Sequence, residues 1–276
     1  ANANGDSVLV SQTGTKFLNV GILDIYPDGK SHSRLIPMDG VVAVNRKVAA
    51  VHDSLLALTA ADLQKVVSNT KFELTINGSD GKRLVRKGET NLGDLAADAM
   101  RFSVGAQIGM VNGGGVRKTI PSGPVKYQDV LDVMPFANDM CLIRATGRQI
   151  KEALTQGVSR LPEESGGFLQ VSGLRYTAVV ESKDGGEATQ VRIENVQVEI
   201  ENGFVAIDEN SLYTVGLSSY VAYEGSEITA FRESEIIADK VMTDDEAMEK
   251  FLKSLGDEIP EVYRKPQGRI EVKYDR

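Results

Sequence analysis

The chain has 276 residues, 41% of them hydrophobic and 25% charged, with a formal net charge of −8; this is ordinary globular composition, long enough for two domains or for one and part of another. The acidic balance excludes a nucleic-acid scaffold, which needs many cations to neutralise phosphates, so an anionic ligand must meet a local basic pocket. The single cysteine excludes an internal disulfide framework, and no apolar run reaches the roughly 20 residues that span a bilayer.

The first elements are short strands. "SVLVSQTGTKFLNVGILDIYPDGKSHSRLIPMDG" is broken by Gly14 and by the YPDGK turn at 26–30, with alternating apolar residues around it. With no helix to pack on, this hairpin or meander is too small for a core and is expected to belong to a larger sheet. No charged-then-apolar leader opens the sequence, which gives the expectation of a mature or truncated soluble product. From Asn45 to Asn69, Val48, Val51, Leu55 and Leu58, then Leu63 and Val66, recur at helical spacing and predict one or two helices. "ELTINGSDGKRLVR" carries another hairpin signal around 77–81.

From Thr90 the pattern is that of a compact mixed α/β domain, and the expected class is α+β with a mixed sheet. Asn91 is the expected N-cap of a helix whose face is Leu92, Leu95, Ala96 and Ala99, with Asp94 three residues on. Thr146 with Gln149, and Thr243 with Glu246, are capping-box pairs that open two further helices, the second closed by Gly256. "TQVRIENVQVEIENGFVAID" alternates as a half-exposed antiparallel pair does. Cys141, in the strand-like "DMCLIR", reads as a small core hydrophobe.

The chemical inventory informs through what it lacks. Only His32 and His52 exist, each alone, and neither a G-x-S-x-G elbow nor a P-loop lysine is present. "NGGGVR" also fails the spacing of a dinucleotide fingerprint. What remains suits recognition. Arg86 and Arg117 flank a helix start and a glycine loop, places where guanidinium groups and exposed N–H groups bind phosphate. Phe136 and Asn138 lie in "MPFAND", where a proline-stiffened turn sets an aromatic plate beside an amide, and "EESGGFLQVSGLRY" adds a second glycine-rich loop at 164–167.

"ETNLGDLAADAMR", "NGGGVR", "VMPFAND", "SGGFLQVSG" and the terminal "GRI" at 268–270 together resemble, in order, the signatures of the C-terminal domain of the 5'-nucleotidase family. Residues 7–35 resemble the last strands of that family's metallophosphatase domain. The resemblance implies three segments: terminal strands of a truncated metallophosphatase domain at 1–42, a helical linker or hinge at 43–70, and a substrate-binding domain at 71–276. It implies two divalent metal ions in a missing N-terminal domain, none held by this chain, and an extracytoplasmic location. Partners would be a nucleotide or nucleoside and the upstream domain, with no nucleic acid and no membrane span.

Carried over by position, the resemblance gives Arg86 and Arg117 to the substrate phosphate, with Asn112 and Gly114 in the glycine loop. Phe136 and Tyr220 would sandwich the base, Asn138 would read its edge, and Gly166 would line the pocket. The family usually follows its second stacking aromatic with "GGDG", whose aspartate holds the ribose hydroxyls. Here "VAYEGSEI" follows Tyr220, with Ser226 at the aspartate's place, Glu227 beside it and Glu224 replacing a glycine. A serine cannot supply a carboxylate's bidentate grip; Glu227 substitutes only if the loop shifts by one residue. Lys82 stands where some members carry a further arginine. Three readings follow: the substrate-binding domain of a 5'-nucleotidase-type phosphohydrolase, a stand-alone nucleotide-binding module, or a relative hydrolysing a non-nucleotide phosphate or sulfur ester.

Overall fold

The computed structural model describes residues 4–5, 7–182 and 188–275, and the chain divides into two compact units, residues 1–60 and 61–276. In the first, β1 (Asn19–Ile25) and β2 (Ser31–Pro37) pair antiparallel. The YPDGK turn joins them, with the Tyr26 N–H donating to the Lys30 carbonyl at 2.9 Å and Gly29 at a φ of 80°. The helix α1 (Arg46–Leu63) follows, capped by Asn45, whose Oδ1 accepts from the N–H groups of Lys47 and Val48. It buries no residue, and the apolar positions Val48, Val51, Leu55 and Leu58 that predicted it are all exposed.

The helix stops at Leu63, short of the predicted Asn69. Val66 and Val67 are β-branched, and β3 (Val66–Thr70) pairs antiparallel with β5 (Gly123–Lys126). A strand partner therefore overrides the helical spacing. The 77–81 signal makes its turn, with the Gly78 N–H donating to the Lys82 carbonyl at 2.8 Å, but no ladder follows. After one rung from Val85 to Ile76 the chain tightens into a 3-10 turn at Leu84–Arg86, which sinks Val85 wholly into the core and turns Arg86 outward from it.

Next come α2 (Asn91–Val104), β4 (Ile108–Asn112), the short α3 (Tyr127–Val133), β6 (Met140–Thr146), α4 (Gly147–Val158), β7 (Leu169–Ser172) and β8 (Leu174–Ser182). The chain ends through β9 (Ala188–Ile200), β10 (Gly203–Ala206), β11 (Leu212–Ser218), β12 (Glu235–Ala238), α5 (Asp244–Ser254) and β13 (Ile270–Asp275). The α2 cap is Thr90, one residue before the predicted Asn91; its Oγ1 accepts the Gly93 N–H at 3.0 Å. Asn91 is instead a buried staple. Its Oδ1 accepts from the Thr75 N–H and its Nδ2 donates to the carbonyls of Glu73 and Tyr263. The other two caps form as predicted: Thr146 and Gln149 exchange bonds at 2.9 and 3.2 Å, and the Thr243 N–H donates to Glu246 at 2.9 Å.

Two mixed sheets organise the second unit. One has the order β12-β6-β11-β4-β7, with β11 and β4 parallel and the other neighbours antiparallel; the other has the order β10-β9-β8-β13, with only β8 and β13 parallel. The five-stranded sheet separates two apolar clusters. Ile108 and Met110 of β4 join Ile150 and Leu154 of α4, while Val111 joins Leu95 and Met100 of α2 and Met248 and Leu252 of α5. Cys141 is wholly buried in the first cluster, its thiol pushed up to about 12 by burial and by the Asp239 carboxylate to which it donates a hydrogen bond at 3.2 Å. It is a core residue, as read, and His32 and His52 are exposed.

Candidate functional site

At the ends of β4 and β7 three loops close on one another. The Gly113 N–H donates to the Phe168 carbonyl at 2.7 Å, and the Gly166 carbonyl accepts from the Gly114 N–H at 2.9 Å and from Asn112 Nδ2 at 3.0 Å. The Ser165 N–H donates to the Arg86 carbonyl at 2.9 Å, tying in the 3-10 turn. Gly115 donates to the Asn112 carbonyl at 2.8 Å. All three glycine N–H groups are thus spent inside the protein, and none is left to cradle an anion as the sequence suggested. The need for glycine lies elsewhere. A Cβ on Gly113 would stand 2.1 Å from the Val85 carbonyl oxygen, so the loop is glycine because backbone packs on backbone.

Gly166 is different. A Cβ there would find only the Gly114 Cα within 4 Å, at 3.8 Å, and its φ is not in the left-handed region. Nothing in the fold demands glycine at 166; what a side chain would do is occupy the space in front of it.

That space is bounded on its far side by the "MPFAND" turn and by the turn Tyr220–Glu224 after β11, which has the wide i to i+5 hydrogen bonding frequent at functional sites. The Ser219 N–H donates to the Asp139 carbonyl at 2.7 Å and so joins the two turns, and the Asp244 N–H donates to the Asn138 carbonyl at 2.9 Å from the start of α5. Between Phe136 and Asn138, Ala137 is held at a φ of 48°. A non-glycine residue there carries strain of order 1–3 kcal/mol and persists only where its surroundings over-determine it.

The cavity measures about 300 Å³, within the range of small-ligand sites. Of the residues singled out from sequence, Arg86, Asn112, Gly114, Phe136, Asn138, Gly166, Tyr220 and Ser226 all line it. Arg117 does not, but its guanidinium bonds the Gly114 carbonyl at 3.2 Å and lies 5.7 Å from the centre of the Phe136 ring. Phe136 is 56% and Tyr220 38% exposed. Among the described residues the two rings make no contact with each other, and both line the cavity. Lys82 lies in the 78–82 turn, outside the walls.

Two charged side chains, Arg86 and Glu227, line the cavity. Arg86 is half-buried and makes no ion pair or side-chain hydrogen bond among the described residues. Burial, then the positive charges of Arg83 and Arg117, hold its guanidinium below the usual arginine range, with Glu164 opposing them. It stays charged, since arginine does not deprotonate in proteins. An unpaired, partly desolvated cation near a second one has the chemistry to hold an anion. Arg83 is itself neutralised by Glu164 at 2.8 Å. The cavity wall also carries Glu227, 3.1 Å from Arg160 and 3.4 Å from the Ser165 hydroxyl.

Ser226 belongs to the cavity wall but its hydroxyl is spent on the loop. The Oγ donates toward the Val221 and Ile228 carbonyls and accepts the Ile228 N–H at 3.0 Å, and the residue is buried. Glu227, weighed beside it in the sequence, is the carboxylate that reaches the cavity. Sequence reading missed Gly115 and Gly167, which also line it, and Asp244. That residue is 4% exposed, and its Oδ2 accepts from Asn138 Nδ2 at 2.8 Å. The one available signal for Asp244 was its place just after the Thr243 cap.

Fold and site together define a mixed-sheet domain with a cavity lined by an arginine and two exposed aromatic rings. The chain belongs to the family described as 5'-nucleotidase, C-terminal domain, whose sequence model matches residues 66–233, more than half of it. Over 211 residues it is 37% identical to the trifunctional nucleotide phosphoesterase protein YfkN of Bacillus subtilis, covering 74% of this chain and 14% of that protein. It is 30% identical over 172 residues to the 5'-nucleotidase of Vibrio vulnificus, covering 61% of this chain and 30% of that one. The crystal structure of the 5'-nucleotidase precursor from Thermus thermophilus superposes with a TM-score of 0.70 at 30% identity, over 99% of this chain and 54% of that one. The chain therefore spans between about a seventh and about half the length of these relatives.

Proposed function

We propose that the chain is the substrate-binding part of a 5'-nucleotidase-type phosphoesterase and takes a nucleoside monophosphate or a related nucleotide in the cavity between Arg86 and Tyr220. The observation that carries this reading is the unpaired Arg86 guanidinium, near Arg117, in the wall of a cavity that also exposes the Phe136 and Tyr220 rings. A phosphate fits the guanidinium and a flat heterocycle the rings. Because the Ser226 hydroxyl is occupied, Glu227 is the group to which we assign the ribose hydroxyls.

Hydrolysis is assigned to an upstream metallophosphatase domain holding two divalent ions, of which residues 1–42 are the last strands and 43–70 the hinge. The described residues of this chain do not fit a di-metal centre: among them no three His, Cys, Asp or Glu side chains converge as ligands. The chain alone then binds nucleotide without turning it over. The exposed apolar residues of the first unit, Val10, Phe17 and Leu58 among them, support a partner surface there. An extracytoplasmic location rests on the resemblance alone, and no helix among the described residues is long and apolar enough to cross a membrane.

Calorimetric titration of AMP and adenosine into the chain tests the site. Charge-assisted hydrogen bonds contribute about 1.5–3 kcal/mol each, so Arg86→Ala is expected to weaken AMP roughly 10- to 100-fold and leave adenosine unchanged. Phe136→Ala is expected to weaken both by about 1–3 kcal/mol, the value of one stacked base. An Arg86→Ala variant that binds AMP like the parent overturns the assignment.

A further inference from the structure

We propose that Asp244 fixes the orientation of the Asn138 amide, so that the cavity offers a carbonyl oxygen to the edge of a bound heterocycle and selects bases carrying a hydrogen-bond donor there. This rests on the nucleotide reading of the cavity and adds to it a residue in neither the walls nor the family motifs quoted above.

An amide side chain has a donating end and an accepting end of nearly equal size, and its partners decide which faces where. Asn138 Nδ2 lies 2.8 Å from Asp244 Oδ2. An ionised carboxylate can only accept, so the nitrogen must face it; the flipped amide would set two oxygens against each other without a proton. The pair cannot drift apart, because the Asp244 N–H donates to the Asn138 carbonyl at 2.9 Å and Asp139 bridges Thr243 in antiparallel fashion. Asp244 is buried and its Oδ1 has no partner among the described residues, so this carboxylate has no other side-chain donor to satisfy it. Its backbone sits in the first turn of α5, where a negative charge is favoured.

On the other side, Asn138 lines the cavity, and no described residue donates to its Oδ1. The carbonyl oxygen is the unspent acceptor that a ligand meets. A base with an exocyclic amino group or a ring N–H at that edge completes it. A base presenting only ring acceptors leaves it unpaired on binding, and leaving a polar group unpaired is what makes such sites discriminate.

The test compares adenosine with purine riboside, which has hydrogen in place of the amino group, by calorimetric titration into the full chain at pH 8. Asp244 is then ionised, its carboxyl having been pushed up only to about 6. The parent is expected to prefer adenosine by tenfold or more. In Asp244→Asn the new side chain can donate as well as accept, so the Asn138 amide is free to turn. The preference is then expected to fall to within about twofold while purine riboside binds about as in the parent. Equal binding of the two nucleosides by the parent, or an unchanged ratio in Asp244→Asn, overturns the inference and leaves the nucleotide reading standing. Binding of neither nucleoside overturns both. Should Asp244→Asn fail to fold, Asn138→Ala serves: loss of the preference supports the inference and its persistence overturns it.

Discussion

Replacing Gly113 with alanine is expected to destabilise the second unit by about 3 kcal/mol or more, at the upper end of what overpacking costs. The added methyl would sit 2.1 Å from the Val85 carbonyl oxygen and 3.2 Å from the Arg86 Cα. Both are backbone atoms, and neither can rotate aside. Val85 is wholly buried and its N–H is bonded to Ile76, so the 3-10 turn yields only by withdrawing its apolar side chain from the core. Arg86 moves with it, and so does the Ser165 loop that hangs from the Arg86 carbonyl. Gly166→Ala is the control. With its nearest neighbour at 3.8 Å it is expected to melt within about 0.5 kcal/mol of the parent or slightly above it. Urea unfolding followed by circular dichroism reads both. A Gly113→Ala protein as stable as its parent would mean that the three loops do not close as described.

The second large effect is one of pH. Asp94 on α2 is wholly buried, and burial, then the neighbouring Glu89 charge, push its carboxyl up to about 8 against an opposing pull from Arg269. Arg269 does reach Asp94, at 3.7 Å, but its fork is committed to Asp98 at 2.7 and 2.8 Å, so the long contact does not keep Asp94 ionised. Glu89, whose charge helps raise Asp94, accepts from the N–H groups of Arg269 and Ile270, fastening the terminal "GRI" segment.

A carboxyl raised in the folded state stabilises it fully below its unfolded value near 3.8, and loses that contribution as pH rises toward the folded value. The slope per group is at most about 1.4 kcal/mol per pH unit. Asp244, pushed up to about 6, adds in the same direction over a shorter range. The exposed carboxylates Asp208, Glu209 and Glu261, held low by hydrogen bonds, act oppositely and only at more acid pH. Stability is therefore expected to be greatest near pH 4–5 and to fall by on the order of 3 kcal/mol by pH 8. Asp94→Asn keeps an acceptor for the Gln267 N–H and carries no charge, so it mimics the protonated acid. It is expected to flatten this decline and exceed the parent at pH 8. Denaturant midpoints measured from pH 4 to 9 decide it; an unchanged slope in Asp94→Asn would show that the carboxyl is ionised throughout.

Much of the scaffold was legible because its signals are local. Thr146 with Gln149, Thr243 with Glu246, the YPDGK turn and the alternation of 189–208 each involve residues within a few positions of one another, and each formed as read. The misreadings have one cause. Val66 kept helical spacing but took a strand partner in β5, and Asn91 gave up the cap to Thr90 because Thr75, Glu73 and Tyr263 engaged its amide. In both a distant partner outweighed a local preference.

The same division runs through the site. The ordered motifs alone determined the family, the mixed-sheet class and which arginines, rings and glycines to watch, since short sequence runs encode loop shape and residue chemistry directly. Only the tertiary structure decided how each atom is engaged: that the glycine N–H groups face inward, that the Ser226 hydroxyl is spent on its own loop while Glu227 reaches the cavity, and that Asp244 holds Asn138 from 106 residues away. A hydrogen-bonding group has one or two partners, and which of many chemically equal candidates it meets is set by how buried elements pack, a relation that spacing along the chain does not carry.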